Sequence, residues 1–301
     1  MIASLADRVA VVTGGNSGVG LEVVRGLVST GHRVVLACRD IDRGRAASRA
    51  VAASLPSRSN DEAVLVAERI DVLPLNLSSL ASIRAFAARV RDRYDGIGAL
   101  VNNAGLVKPG GGLSADGHEL HFAVMHLGHF ELTRLLLDLL RRGQTRSGRP
   151  SRVVSVSAWG HRLAKPDFDA VRRADPNAFR AYCRAKLAQV VSTRAWAKQI
   201  PENEVAFFSL HPGIVRTNLA GDLGGLAQRT FELIAVTAAA SAQLPLYLAQ
   251  EPDLERWSGE YFSYRTFQRS FGHAPSRASR YADDPALQRR LRTLSEELSR
   301  V

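Results

Sequence analysis

The stretch Thr13 to Gly20, T-G-G-N-S-G-V-G, constrains this chain more than any other. It follows Arg8-Val9-Ala10-Val11-Val12, a short apolar run rich in β-branched residues, and precedes Leu21 to Leu27, where apolar positions recur at helical spacing. That order reads strand, glycine turn, helix. Gly14 suits a tight turn that needs unusual φ. Gly18 and Gly20 lack a Cβ, so a pyrophosphate and a neighbouring strand can come close. The helix that follows offers unpaired N–H groups and partial positive charge to the phosphates. Asn16, Ser17 and Val19 lie in the same loop. A glycine triplet alone also fits an ordinary loop, so the rest of the chain has to agree.

Strand and helix patterns alternate from residue 8 to about 210, which calls for a parallel, doubly wound sheet of about seven strands. Strands are expected at 8–12, 32–39, 72–77, 99–105, 152–156, 205–210 and 259–262. Helices are expected at 41–54, 78–90, 120–140 and 178–198. Leu55 to Glu62 reads as an inserted polar loop and Arg141 to Pro150 as a polar linker. The fold class is α/β: one Rossmann-type domain over 1–301, with 8–217 as cofactor-binding and catalytic core. Residues 218–301 should be helical and shape a substrate pocket, their Arg-rich end at 276–300 being mainly solvated helix.

The net charge is +11, with only four lysines, at 108, 165, 186 and 198. No dense basic block carries interleaved aromatics, so nucleic acid is not the expected partner. Two cysteines, Cys38 and Cys183, make neither a disulfide framework nor a metal site. His118, His121, His126 and His129 include i, i+3 pairs, but without supporting carboxylate or Cys spacing they read as surface or packing histidines and no metal is expected. The start lacks a signal-peptide pattern, and no apolar run reaches the ~18 residues of a membrane span. A cytoplasmic protein without a membrane anchor is therefore expected.

The second strand ends where a Rossmann unit meets the adenosine ribose. There Cys38 is neutral and Arg39 follows, a guanidinium fork suited to a 2′-phosphate. This favours NADP(H) over NAD, unless Arg39 merely starts a helix and Asp40 turns to the ribose. Asn76, followed by Leu77, leaves the third strand near the adenine edge. Asn103-Ala104-Gly105 ends the fourth strand in a small-residue turn, and His211-Pro212-Gly213-Ile214-Val215-Arg216-Thr217 forms a loop over the cofactor end.

Tyr182 and Lys186 are four apart and share a helix face. A phenol ordinarily titrates near ~10. An ammonium ~4 Å away at an effective dielectric of ~20 is worth a few kcal/mol, enough to bring that phenol within reach of neutral pH as an acid or base. A packed Tyr beside a surface Lys is the plainer alternative.

Together, T-G-x-x-x-G-x-G at 13–20, N-N-A-G at 102–105, Y-x-x-x-K at 182–186 and H-P-G at 211–213 resemble the short-chain dehydrogenase/reductase family. A-C-R-D at 37–40, H-L-G-H-F at 126–130 and A-Y-C-R-A-K-L-A at 181–188 are similar to its retinol-dehydrogenase and WW-domain-oxidoreductase branch. The resemblance implies NADP(H)-dependent interconversion of lipophilic carbonyls and alcohols. Tyr182 would be the proton donor and Lys186 the residue that holds the ribose and lowers the phenol pKa. It also implies a homodimer paired through the helices at about 118–140 and 178–198. Two of the family's four catalytic positions differ. Met125 stands where an Asn side-chain amide serves a proton relay, and Ala158 where a Ser orients the substrate. Losing such a donor costs roughly 10²–10³ in rate. Ser157, one residue earlier, could substitute only if the backbone turns there.

Three functions follow from this reading. One is an NADP-dependent oxidoreductase on a lipophilic or polycyclic, specialised-metabolite substrate. The second is a redox-neutral cyclase, isomerase or dehydratase in a biosynthetic route. The third is a cofactor-binding protein with little turnover. Trp159, Phe168, Phe179, Trp196, Phe231 and Trp257 could line a pocket or fill the core.

Overall fold

The computed structural model describes residues 8–55, 66–214, 236–265 and 270–300. Thr217, Arg216, Phe231, the polar loop beyond Leu55 and the stretch 218–235 therefore lie outside the described residues. Among the described residues eight strands form one sheet: β1 (Val9–Thr13), β2 (Arg33–Cys38), β3 (Ile70–Pro74), β4 (Ala99–Asn102), β5 (Ser151–Val156), β6 (Val205–His211), β7 (Tyr261–Arg265) and β8 (Ser270–Phe271). Their order is β3-β2-β1-β4-β5-β6-β7-β8. All neighbours run parallel except β7 and β8, which are antiparallel. The strand order reverses between β1 and β4, and a ligand of such a sheet lies outside the carboxyl strand ends at that switch.

The helices are α1 (Gly18–Ser29), α2 (Ile41–Ser54), α3 (Leu80–Arg93), α4 (Gly128–Ser147), α5 (Ala178–Ala197), α6 (Ala238–Gln250) and α7 (Pro285–Leu298). The strands are apolar on both faces, as a doubly covered parallel sheet requires. Val12, Leu36 and Phe208 face α1 and α6, while Val11, Val35 and Phe207 face the α3–α5 side.

Three sequence expectations change. The third strand starts two residues earlier and ends at Pro74. Asn76 is already a turn residue, its Oδ1 accepting from the Ser78 N–H and hydroxyl. The linker at 141–150 is instead the last turns of α4, which stop at Gly148 in the left-handed region (φ 67). Gly143 permits this continuation, since a Cβ there would sit 2.0 Å from the Ile97 carbonyl oxygen.

The Arg-rich end is more than a solvated helix. Leu287, Leu291, Leu294 and Leu298 form a buried stripe on α7 that packs against Phe122, Leu127, Leu187 and Val191. His126 Nε2 and Ser295 Oγ lie 2.8 Å apart across this seam. The chain's own α7 thus covers part of α5 and the entrance to α4. Among the described residues, α6 packs against α1, and α7 packs against α5 and α4.

Candidate active site

The glycine turn at the end of β1 makes a cradle. Gly14 adopts φ 64, and a Cβ there would meet the Ala104 backbone at 3.1 Å. A Cβ on Gly20 would lie 2.4 Å from both the Gly14 carbonyl oxygen and Asn103 Nδ2, so Gly20 serves the approach of α1 to β4. Gly18, at φ 55, opens onto empty space. Ser17, the N-cap of α1, makes no side-chain cap hydrogen bond. The first N–H groups of α1 thus keep their donors for an anion. Asn16, Ser17, Gly18 and Val19 all reach the surface here. These features fit a dinucleotide pyrophosphate.

A buried chain of hydrogen bonds sits beneath the cradle. Thr13 Oγ1 accepts from the N–H groups of Asn103 (2.9 Å) and Ala104 (3.0 Å) and lies 2.9 Å from His129 Nε2. His129 Nδ1 lies 3.0 Å from the Met125 carbonyl oxygen. Burial holds this imidazole down to about 4, hence neutral. With Nδ1–H donating to Met125, Nε2 must accept from the Thr13 hydroxyl. Asn103 Nδ2 donates to the Thr13 carbonyl at 2.9 Å. The Asn103-Ala104-Gly105 turn is thereby tied to the phosphate loop on one side and the Met125 turn on the other. Met125 itself lies in a π-helical turn, Ala123–Leu127, at the entrance to α4, a distortion often met at functional sites.

Helix α5 begins at Asn177, whose Oδ1 accepts from the Arg180 N–H. One turn on, Tyr182 and Lys186 share a face, at the exit of β5. Lys186 is buried, its Nζ donating to the Val156 carbonyl (2.7 Å) and to Gln189 Oε1 (3.0 Å). A Cβ on Gly105 would lie 3.7 Å from this Nζ and 3.4 Å from Met125 Sδ. Gly105, Met125 and Lys186 thus meet at the end of β4.

The expected phenol shift is reversed. Nζ stands 5.7 Å from the Tyr182 ring centroid and is directed at Val156 and Gln189. Burial pushes the Tyr182 hydroxyl up to about 12 and the Lys186 ammonium down to about 7. Desolvation outweighs the attraction that spacing alone suggests.

Ser157 is also corrected. Its hydroxyl is buried and donates to the Lys186 carbonyl at 2.8 Å, so it fastens β5 to α5 and is not turned to a substrate. Ala158 follows in extended backbone and so points the other way.

The remaining candidates fall around the strand ends. Arg39 is exposed and, among the described residues, has no ion-pair or hydrogen-bond partner. Asp40 instead caps α2, its Oδ1 accepting from the Arg43 N–H at 3.0 Å. Asn76 spends its side-chain oxygen on Ser78, and Leu77 is buried. Pro212 and Gly213 are buried and Ile214 half-buried after β6. The aromatic candidates divide: Phe168 and Trp196 belong to the core, while Trp159 and Phe179 are exposed. All four histidines of 118–129 are buried.

Sequence reasoning missed Gln189, which lies one turn beyond Lys186 and could have been found by continuing its face. It also missed the tie between Thr13 and His129, residues far apart in the chain. Among the described residues His211 Nδ1 is buried without a hydrogen-bond partner, and burial with nearby His161, Arg162 and Lys186 holds it at about 4.

A glycine cradle at the switch point and a Tyr–Lys pair on the helix after β5 define a dinucleotide-dependent oxidoreductase site. The family profile for short chain dehydrogenases matches residues 8–225, and the chain belongs to that family of oxidoreductases. It is 38% identical to retinol dehydrogenase 12 of Homo sapiens over 262 residues, which cover 86% of this chain and 78% of that one. It is 36% identical to retinol dehydrogenase 11 of Mus musculus over the same shares. An uncharacterized protein from Mycobacterium paratuberculosis superposes with a TM-score of 0.73 at 29% identity, covering 100% of this chain and 96% of that one. The cytoplasmic setting expected from sequence is overturned by these relatives, since the retinol dehydrogenases are membrane-associated. Among the described residues no helix is long and apolar enough to cross a membrane.

Proposed function

We propose that the protein is an NADP(H)-dependent oxidoreductase that interconverts a lipophilic or polycyclic carbonyl compound and its alcohol. The observation that carries this reading is the placement of Tyr182 and Lys186 on one face of α5, with Lys186 Nζ beside Gly105 at the switch point. The relatives, named as dehydrogenases of retinol, favour a lipophilic alcohol or aldehyde. Arg39, exposed at the end of β2 and without a partner among the described residues, favours a 2′-phosphate.

The nicotinamide cofactor, when bound, supplies or accepts the hydride at the carbonyl carbon. Gly14, Gly18 and the first N–H groups of α1 would hold its phosphates; Asn103, Ala104 and Gly105 would border it, and Lys186 would reach its ribose. Tyr182, protonated at neutral pH, donates its hydroxyl proton to the carbonyl oxygen as the alcohol forms, and accepts it in the reverse direction. Ala158 offers no hydroxyl to the developing oxyanion, so orientation falls to the substrate's own polar groups or to water.

The test is incubation of the full chain with NADPH and a panel of lipophilic ketones, aldehydes and quinones. Nicotinamide oxidation that Tyr182→Phe lowers by about 10²-fold or more is the expected result. Substrate turnover without change in nicotinamide absorbance would instead mark a redox-neutral enzyme. Cofactor binding with neither would mark a binding protein.

A further inference from the structure

A second concavity stands apart from the Tyr182–Lys186 face. It is a cavity of about 690 Å³ between the 163–176 segment and the first turns of α5, within the size range of small-molecule sites. Neither Tyr182 nor Lys186 lines it. Its wall is part apolar, through Leu163, Ala170 and Phe179, and part cationic, through Lys165, Arg173 and Arg184. Leu163 and Phe179 are 55% and 62% exposed, unusual for residues of this size and explained if something covers them.

Arg184 is the informative residue. It is only 4% exposed, yet among the described residues its Nε and Nη2 have no hydrogen-bond partner. Among the described residues its ion-pair partner is Asp175, with Nη2 at 3.3 Å. Asp175 is already engaged by Arg180, whose Nε and Nη2 meet its two oxygens at 3.0 and 2.7 Å. One carboxylate therefore serves two guanidinium groups. Beyond that trio, the wall adds Lys165 and Arg173 against Asp167 alone. Buried cationic donors without an acceptor are uncommon, and an anion held there would complete them.

We propose that this cavity binds an amphipathic anion, its carboxylate or phosphate head meeting Arg184 and its apolar body lying along Leu163, Ala170 and Phe179. The site does not depend on the oxidoreductase reading above. It is lined by the segment that leads from β5 to Tyr182, and not by Tyr182 or Lys186, so its occupant would brace that segment.

Calorimetric titration of the full chain tests this with three probes below their micellar concentrations: dodecanoate, dodecyl phosphate and dodecan-1-ol. At least one anion should bind with a micromolar Kd, and the alcohol at least 10-fold more weakly; the tighter anion identifies the head group. Arg184→Met should weaken anion binding at least 10-fold. Ala170→Trp, which fills the cavity without altering charge, should do the same and stands in if Arg184→Met fails to fold. Tyr182→Phe should leave the affinity unchanged. Equal binding of alcohol and anions, binding indifferent to Ala170→Trp, loss of binding in Tyr182→Phe, or no binding of either anion would each overturn the assignment.

Discussion

Ser157 and Lys186 fasten one another's elements in both directions. The Ser157 hydroxyl donates to the Lys186 carbonyl at 2.8 Å, and Lys186 Nζ donates to the carbonyl of Val156, the residue before Ser157, at 2.7 Å. The exit of β5 and the middle of α5 are thus held as one unit, and the position of Tyr182 is set by main-chain acceptors. Ser157 earns its place by geometry, with its hydroxyl already spent.

That assignment makes Ala158→Ser informative. Ala158 sits in extended backbone next to Ser157 and faces the opposite way. A hydroxyl there adds the donor that the site lacks, and kcat/KM for carbonyl reduction should rise by about 10²–10³-fold. Steady-state kinetics on the best substrate of the panel checks it. An unchanged rate would show that this side chain does not face the carbonyl.

Arg39→Ala should raise the KM for NADPH by about 10–100-fold, the worth of a hydrogen bond to a charged group, and leave that for NADH nearly unchanged. Because Arg39 is exposed and makes no contact among the described residues, the thermal midpoint should not move. A parallel loss with both cofactors would place the guanidinium elsewhere than at a 2′-phosphate.

Lys186 yields a pH signature independent of turnover. Burial brings its folded pKa to about 7, below the unfolded value near 10.5. Between those values the unfolded chain binds the proton and the folded chain does not, so stability rises with pH across that window. Below about 7 the burial cost is present in full. Urea midpoints of the protein relative to Lys186→Met should therefore climb from pH 7 to pH 10 and be flat from pH 5 to 6.5. Lys186→Met should also abolish cofactor-dependent turnover.

Thr13→Val removes the hydroxyl that serves Asn103, Ala104 and His129 together. Valine keeps the shape and leaves those groups unanswered, which should cost about 2–5 kcal/mol of stability. Denaturant unfolding checks this. NADPH affinity should fall as well, since the Asn103-Ala104-Gly105 turn loses its anchor.

Local patterns carried the frame: the glycine turn, the apolar strands and the Tyr–Lys spacing were each legible because they are set by residues close in sequence. What was not legible depends on distant residues or on desolvation. The Tyr182 shift has the opposite sign to that expected because spacing says nothing about where Nζ points or how dry its surroundings are. The last turns of α4 looked like linker because Arg141 and Arg142 hide a helix that Gly143 alone lets pass Ile97. The leucine stripe of α7 was masked by the arginines between its members, although Leu287, Leu291, Leu294 and Leu298 keep a helical period.

That stripe bears on how the protein can be handled. The short chain dehydrogenase profile stops at residue 225, whereas the helix that shelters Phe122, Leu187 and Val191 runs from 285 to 298. Trimming a fragment to the profile would leave an oily seam open to solvent along the back of the Tyr182 helix, inviting self-association in place of a smaller working enzyme.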